Sequence, residues 1–137
     1  MANDLRLAIP VLIELAGSSN PNIRRFAVEV TRPRSVWGAH IDDLKARPQI
    51  AMGLLNCVQN DPSRYVQLAV GNWLNDASKS QPRWVQEVCA NWAISDAKET
   101  QAIVRRGLRT IRSLESDQPP SRRRRVYANK PELDAGR

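Results

Sequence analysis

From Tyr65 to Lys79 the chain reads YVQLAVGNWLNDASK, and at about 100° per residue this stretch sorts into two stripes of opposite chemistry. Val66, Val70, Trp73, Leu74 and Ala77 share one side, the spacing of a helix packed into a core. Asn72, Asn75, Asp76 and Lys79 recur at i, i+3, i+4 and i+7 on another, so two amides, a carboxylate and an ammonium share a face. Such a face is either a site or a solvated surface carrying an Asp76–Lys79 ion pair worth roughly a few tenths of a kcal/mol.

The same periodicity recurs along the chain, punctuated by legible helix starts. Asn20-Pro21 and Asp61-Pro62 each pair an N-cap side chain with a proline at the first helical position, and Pro48 and Pro82 stand near further starts. Asp96 with Glu99 reads as a capping box. These signals predict helices over about 5–16, 20–30, 48–59, 62–77, 81–93 and 97–114. No segment sustains the alternation of a strand, so the predicted fold is all-α.

The predicted helices pair up, and the second members begin near residues 21, 62 and 97, a period of roughly 40 that fits a HEAT-like helical-repeat solenoid of about three helix pairs. A solenoid lines one surface with its second helices. Arg25, Glu29 and Arg32 from the first pair, the polar face of 62–77, and Lys98, Arg105, Arg109 and Arg112 from the last should therefore share a surface. That surface is basic, with the carboxylates of Glu29 and Asp76 set within it.

Composition extends this picture. The net charge is +7, and residues 1–115 alone hold fifteen basic against eleven acidic side chains, so the excess belongs to the folded part as well. A basic balance favours a polyanionic partner, nucleic acid before membrane. No stretch has the length and apolarity of a membrane span or the pattern of a signal peptide, which predicts a cytoplasmic protein. Cys57 and Cys89 read as two reduced core thiols, and with His40 the sole histidine a metal centre is not expected.

Residues 31–40, TRPRSVWGAH, form an irregular linker in which Trp37 has a plain role available as a cap on the core. Trp73, Trp84 and Trp92 occupy apolar helical positions and are assigned to the core. After Ser116 the chain turns to Pro119-Pro120, then Arg122 to Arg125, then a polar end. This divides the chain into a repeat domain, 1–115, and a disordered basic tail, 116–137.

Three stretches carry a resemblance: IRRFAVEVTRPRSVWG at 23–38, DPSRYVQLAVGNWLNDASKSQPRWV at 61–85 and VRRGLRTI at 104–111. Together they resemble the AlkC/AlkD-type alkylpurine DNA glycosylases, most closely the AlkC branch, in an N-terminally short form. Members of that family fold as HEAT-like superhelices that grip duplex DNA and excise cationic lesions such as 3-methyladenine. The resemblance implies Asp76 and Glu29 as catalytic carboxylates and places Trp37 beside the lesion. It implies a DNA-facing surface made of Arg24, Arg25, Arg32, Arg34 and Lys79, to which the polar stripes add Asn72, Asn75, Arg105 and Arg109.

The residue types suit that chemistry. Alkylation makes a purine a cationic leaving group, and a carboxylate can stabilise the oxocarbenium-like sugar and orient the water that captures it. No cofactor or metal is required. Two departures from the family pattern stand out: Gln67-Leu68 replaces a basic pair, and Val30 replaces a glycine. Family proteins also carry further repeats ahead of the point where this chain starts. Their absence would leave apolar surface on helix 5–16, which contains Pro10, and invite self-association through it. Two rival readings follow, a non-catalytic HEAT-repeat DNA- or protein-binding module and a repeat domain completed by another chain.

Overall fold

The computed structural model describes residues 2–33 and 40–117. Among these residues every regular element is helical: α1 (Ala2–Ala16), α2 (Pro21–Glu29), α3 (His40–Ala46), a 3-10 turn (Pro48–Ala51), α4 (Met52–Cys57), α5 (Arg64–Ser78), α6 (Pro82–Trp92), α7 (Lys98–Gly107) and α8 (Arg109–Ser116). The all-α, HEAT-like expectation holds, with α1/α2 and α6/α7 packed as pairs and α4 packed on α1. Arg34, Trp37 and the Arg122–Arg125 tail lie outside the described residues.

The face of α1 that repeats at helical spacing, Leu5, Ile9, Leu12 and Ala16, is buried. The face expected to lack cover is instead covered, with Leu5 and Leu12 in the core and Ala8 and Leu15 packed against it, while Leu7 and Val11 on the other side are 75% and 56% exposed. Pro10 sits on the exposed side, and the helix runs through it. Helix α2 opens as the sequence predicts, with Asn20 Oδ1 accepting from the Asn22 amide at 2.8 Å and Pro21 at the first position.

Four local expectations are corrected. Helix α3 follows the linker, between it and the helix expected from 48, where none is predicted: seven residues are too few to show periodicity, yet Asp42 and Asp43 in its first turn suit the helix dipole and Leu44 anchors it in the core. Helix α5 starts at Arg64 with Ser63 as its N-cap, while Asp61 is buried and engaged elsewhere. The Asp96–Glu99 capping box does not form; Ala97 is the N-cap of α7, and Ser95 Oγ accepts from the Ala97 amide at 3.0 Å. The single helix expected over 97–114 breaks at Leu108 into α7 and α8.

Helix α5 is the most deeply buried of the helices, with eleven of its fifteen residues buried. Val66, Val70, Trp73, Leu74 and Ala77 form its core stripe as the periodicity requires. It packs against α7 on one side and α2 on the other, with α6 behind. The α5–α7 approach depends on two glycines. A Cβ on Gly71 would stand 2.7 Å from Arg106 Cβ, and one on Gly107 would stand 2.9 Å from Leu74 Cβ. On the α2 side, Trp73 Nε1 donates to both the carbonyl and the hydroxyl oxygen of buried Thr31, at 3.0 and 3.1 Å. Trp73 also meets Trp84 in a tilted contact, 6.2 Å between ring centroids.

The two cysteines differ, against the expectation that both are core thiols. Cys89 is buried, and burial pushes its thiol up to about 12. Cys57 is exposed, its thiol donating to the Gly53 carbonyl at 3.3 Å. A thiol reagent is therefore expected to label Cys57 in the native protein and Cys89 only on unfolding, which mass spectrometry would show. Because the folded Cys89 holds its proton while the unfolded thiol releases it from about pH 9, stability should fall by about 1.4 kcal/mol per pH unit between pH 9 and about 12.

Candidate functional site

Three side chains of α2 and its C-terminal turn, and one of α5, form a continuous chain of alternating charge. Arg25 Nη2 lies 3.8 Å from Glu29 Oε2, Arg32 Nη1 lies 3.3 Å from Glu29 Oε1, and Arg32 Nε lies 2.8 Å from Asp76 Oδ2. The Arg32 guanidinium is raised above its ordinary value by its hydrogen bond to Asp76, against a smaller lowering by burial. Arg25 also lies over the Tyr65 ring, 4.4 Å from its centroid, a cation–π contact worth about 0.5–1 kcal/mol at an exposed site.

The local fold explains this convergence. Thr31, between Glu29 and Arg32, is pinned by its hydroxyl to the Val28 carbonyl and by Trp73 to α5. Trp73 precedes Asp76 by one helical turn, so the anchor that fixes the end of α2 also sets Arg32 against Asp76. The carboxylates of Glu29 and Asp76 are thereby gathered on one guanidinium. Asp76 spends Oδ2 on it, and its Oδ1 has no hydrogen-bond partner among the described residues. Asp76 is 5% exposed, and its partner is Arg32 rather than Lys79, which stands exposed.

The other predicted site residues divide sharply. Arg24 is turned inward: Nε and Nη2 donate to both oxygens of buried Asp61 at 2.7 and 3.0 Å, and Nη1 donates to the Ser18 carbonyl at 2.9 Å. Asp61 Oδ1 also accepts from the Ser63 amide, and its carbonyl accepts from Gln67 Nε2. Arg24 thus ties the α1–α2 loop and α2 to the start of α5. Asn72 and Asn75, expected on the partner-facing stripe, turn toward the last two helices. Asn72 Oδ1 accepts from Arg106 Nε at 2.8 Å, and buried Asn75 Oδ1 accepts from the Thr110 amide at 2.9 Å, capping α8 from another helix.

Arg105 and Arg109 are exposed and line an open groove with Arg64, Arg106, Arg112 and Ala102. Arg64 and Arg106 are not among the residues that the sequence pattern assigns to the site. The signal for Arg64 was present: around α5 it lies about 20° from Asn75, eleven residues on. Among the described residues no helix is long and apolar enough to cross a membrane.

Residues 1–110 match the family model described as DNA alkylation repair enzyme. Over 108 residues the chain is 33% identical to the uncharacterized protein YhaZ of Bacillus subtilis (strain 168), covering 79% of this chain and 30% of that protein. The fold is similar to that of the Pseudomonas fluorescens alkylpurine DNA glycosylase AlkC bound to DNA containing an abasic site analog, with a TM-score of 0.70 and 31% identity over 75% of this chain and 29% of that one. The chain therefore spans about 30% of the length of the relatives it matches.

Proposed function

The chain belongs to the DNA alkylation repair enzyme family, and from that footing we propose that it hydrolyses the N-glycosidic bond of cationic alkylpurines, of the 3-methyladenine type, in duplex DNA. The observation that carries the reading is the meeting of Glu29 and Asp76 on Arg32. Two carboxylates brought together from different helices make a place where positive charge is favoured, and a guanidinium fills it in the free protein. A cationic base, or the oxocarbenium-like sugar left as the base departs, presents charge of the same sign.

Asp76 stabilises that charge through the oxygen that Arg32 does not use, and Glu29 shares the counter-charge and orients water on the sugar. Arg25 and Arg32 balance the carboxylates in this scheme. Duplex DNA is the partner, no cofactor takes part, and the cytoplasm is the compartment the reading implies.

A second reading is favoured by one feature of the same geometry: both carboxylates are already engaged by arginine, as in a scaffold that binds DNA without cutting. Formation of abasic sites separates the two. Incubation with methylated duplex DNA should leave alkali-labile breaks at methylpurines, and breaks no more frequent than in a protein-free control would leave the non-catalytic module standing.

A further inference from the structure

Two groups of arginine stand apart among the described residues. Arg24, Arg25, Arg32 and Arg47 each lie within 4 Å of a carboxylate. Arg64, Arg105, Arg106, Arg109 and Arg112 converge on one groove from α5, α7 and α8, and none of them forms an ion pair among the described residues. Among the described residues no acidic side chain lines that groove. Guanidinium groups gathered without a counter-charge repel one another, and a polyanion laid along them relieves that repulsion.

The fold does the reverse and builds the cluster. Gly71 leaves room for the stem of Arg106, whose Cβ, Cγ and Cδ would stand 2.7, 3.0 and 3.1 Å from an added Cβ. Asn72 then holds Arg106 Nε at 2.8 Å, while the two terminal nitrogens have no partner among the described residues. Asn75 caps α8, the helix that presents Arg109 and Arg112. Two amides and a glycine of α5 are thus committed to placing arginines on the neighbouring helices. A guanidinium fixed through Nε offers its terminal edge as a fork matched to a phosphate.

We propose that the Arg64–Arg105–Arg106–Arg109–Arg112 groove is the phosphate-binding site of this chain, taking consecutive phosphodiesters of a duplex DNA backbone without reading sequence. The proposal rests on the duplex-DNA reading above and adds to it. It moves the backbone contact off α2, whose arginines serve carboxylates, and onto α7, α8 and the start of α5. Around α5, Arg64 and Asp76 stand about 120° apart, with exposed Tyr65 and Lys79 between them by angle.

The test is the salt dependence of full-chain binding to a labelled, undamaged duplex, measured by anisotropy. Neutralising five phosphates gives a slope of log affinity on log salt of about −4 to −5. Arg64→Gln with Arg112→Gln, and separately Arg105→Gln with Arg109→Gln, should each flatten the slope by roughly two and weaken binding tenfold or more near 0.1 M salt. Arg6→Gln, an exposed charge on α1 away from the groove, should leave the slope within about half a unit of wild type. All four side chains replaced in the groove pairs are exposed, so melting temperatures should hold. Wild-type binding with a full slope that both groove pairs also retain would overturn the groove alone. A wild type without salt-dependent binding would overturn the groove and the DNA reading together. The predicted slopes with no base excision would uphold the groove while the excision reading fails.

Discussion

Asp76→Asn should slow excision of a methylated purine by roughly a hundredfold or more, about 2.7 kcal/mol of lost transition-state stabilisation, while DNA affinity stays near wild type. The substitution keeps the shape of the side chain and removes the charge that faces the developing cation. It also costs the carboxylate that Arg32 holds at 2.8 Å. Arg32 retains Glu29 at 3.3 Å and is 29% exposed, so it is not stranded, and the loss of stability should be about 1 kcal/mol. The rate effect therefore exceeds anything unfolding explains. A purely structural Asp76 would show that modest destabilisation with the excision rate unchanged. Glu29→Gln is the companion: a larger loss there than at Asp76 would give the lead role to the α2 carboxylate.

The largest loss of stability is expected at Arg24. Arg24→Met keeps most of the stem and removes the guanidinium, leaving Asp61, whose side chain is 4% exposed, with the Ser63 amide alone. Breaking such a pair by deleting one partner costs about 3–5 kcal/mol, because a buried charge is left uncompensated. For a domain of this size that lowers the melting temperature by roughly 10 °C or more. Adding Asp61→Leu removes the stranded charge and should recover part of the loss, the non-additivity of a directly coupled pair. The slope of DNA binding on salt should not change. An unchanged melting temperature with a slope flattened by about one would instead return Arg24 to the DNA-facing surface that the family resemblance implies.

Arg24 and Arg25 show where sequence stops being informative. Both belong to the arginine pair that carries the resemblance, and they stand about 100° apart on α2. One is drawn to Asp61 and the other to Glu29 and Tyr65, which only the packing of α5 against α2 decides. Asn72 and Asn75 teach the same lesson: periodicity found their face, but the helix that claims each amide comes from elsewhere in the chain. The core stripe of α5 was legible because one helix fixes it without reference to neighbours. The meeting of Glu29 and Asp76 was accessible through the repeat period, although the arginine joining them by its own side chain was not. The break between α7 and α8 had a sign in Gly107, an isolated glycine near a helix end. Cys57 departs from the expected core position because its helix turns the thiol out while the apolar neighbours Leu54, Leu55 and Val58 are buried.

If the carboxylates gathered on Arg32 cleave a glycosidic bond, free base leaves methylated duplex DNA. Chromatography of the products formed by the wild-type chain should show free methylpurine accumulating with time, above both a protein-free control and the Asp76→Asn protein. DNA bound with a steep salt dependence, with no base released above the protein-free control, would contradict that cleavage.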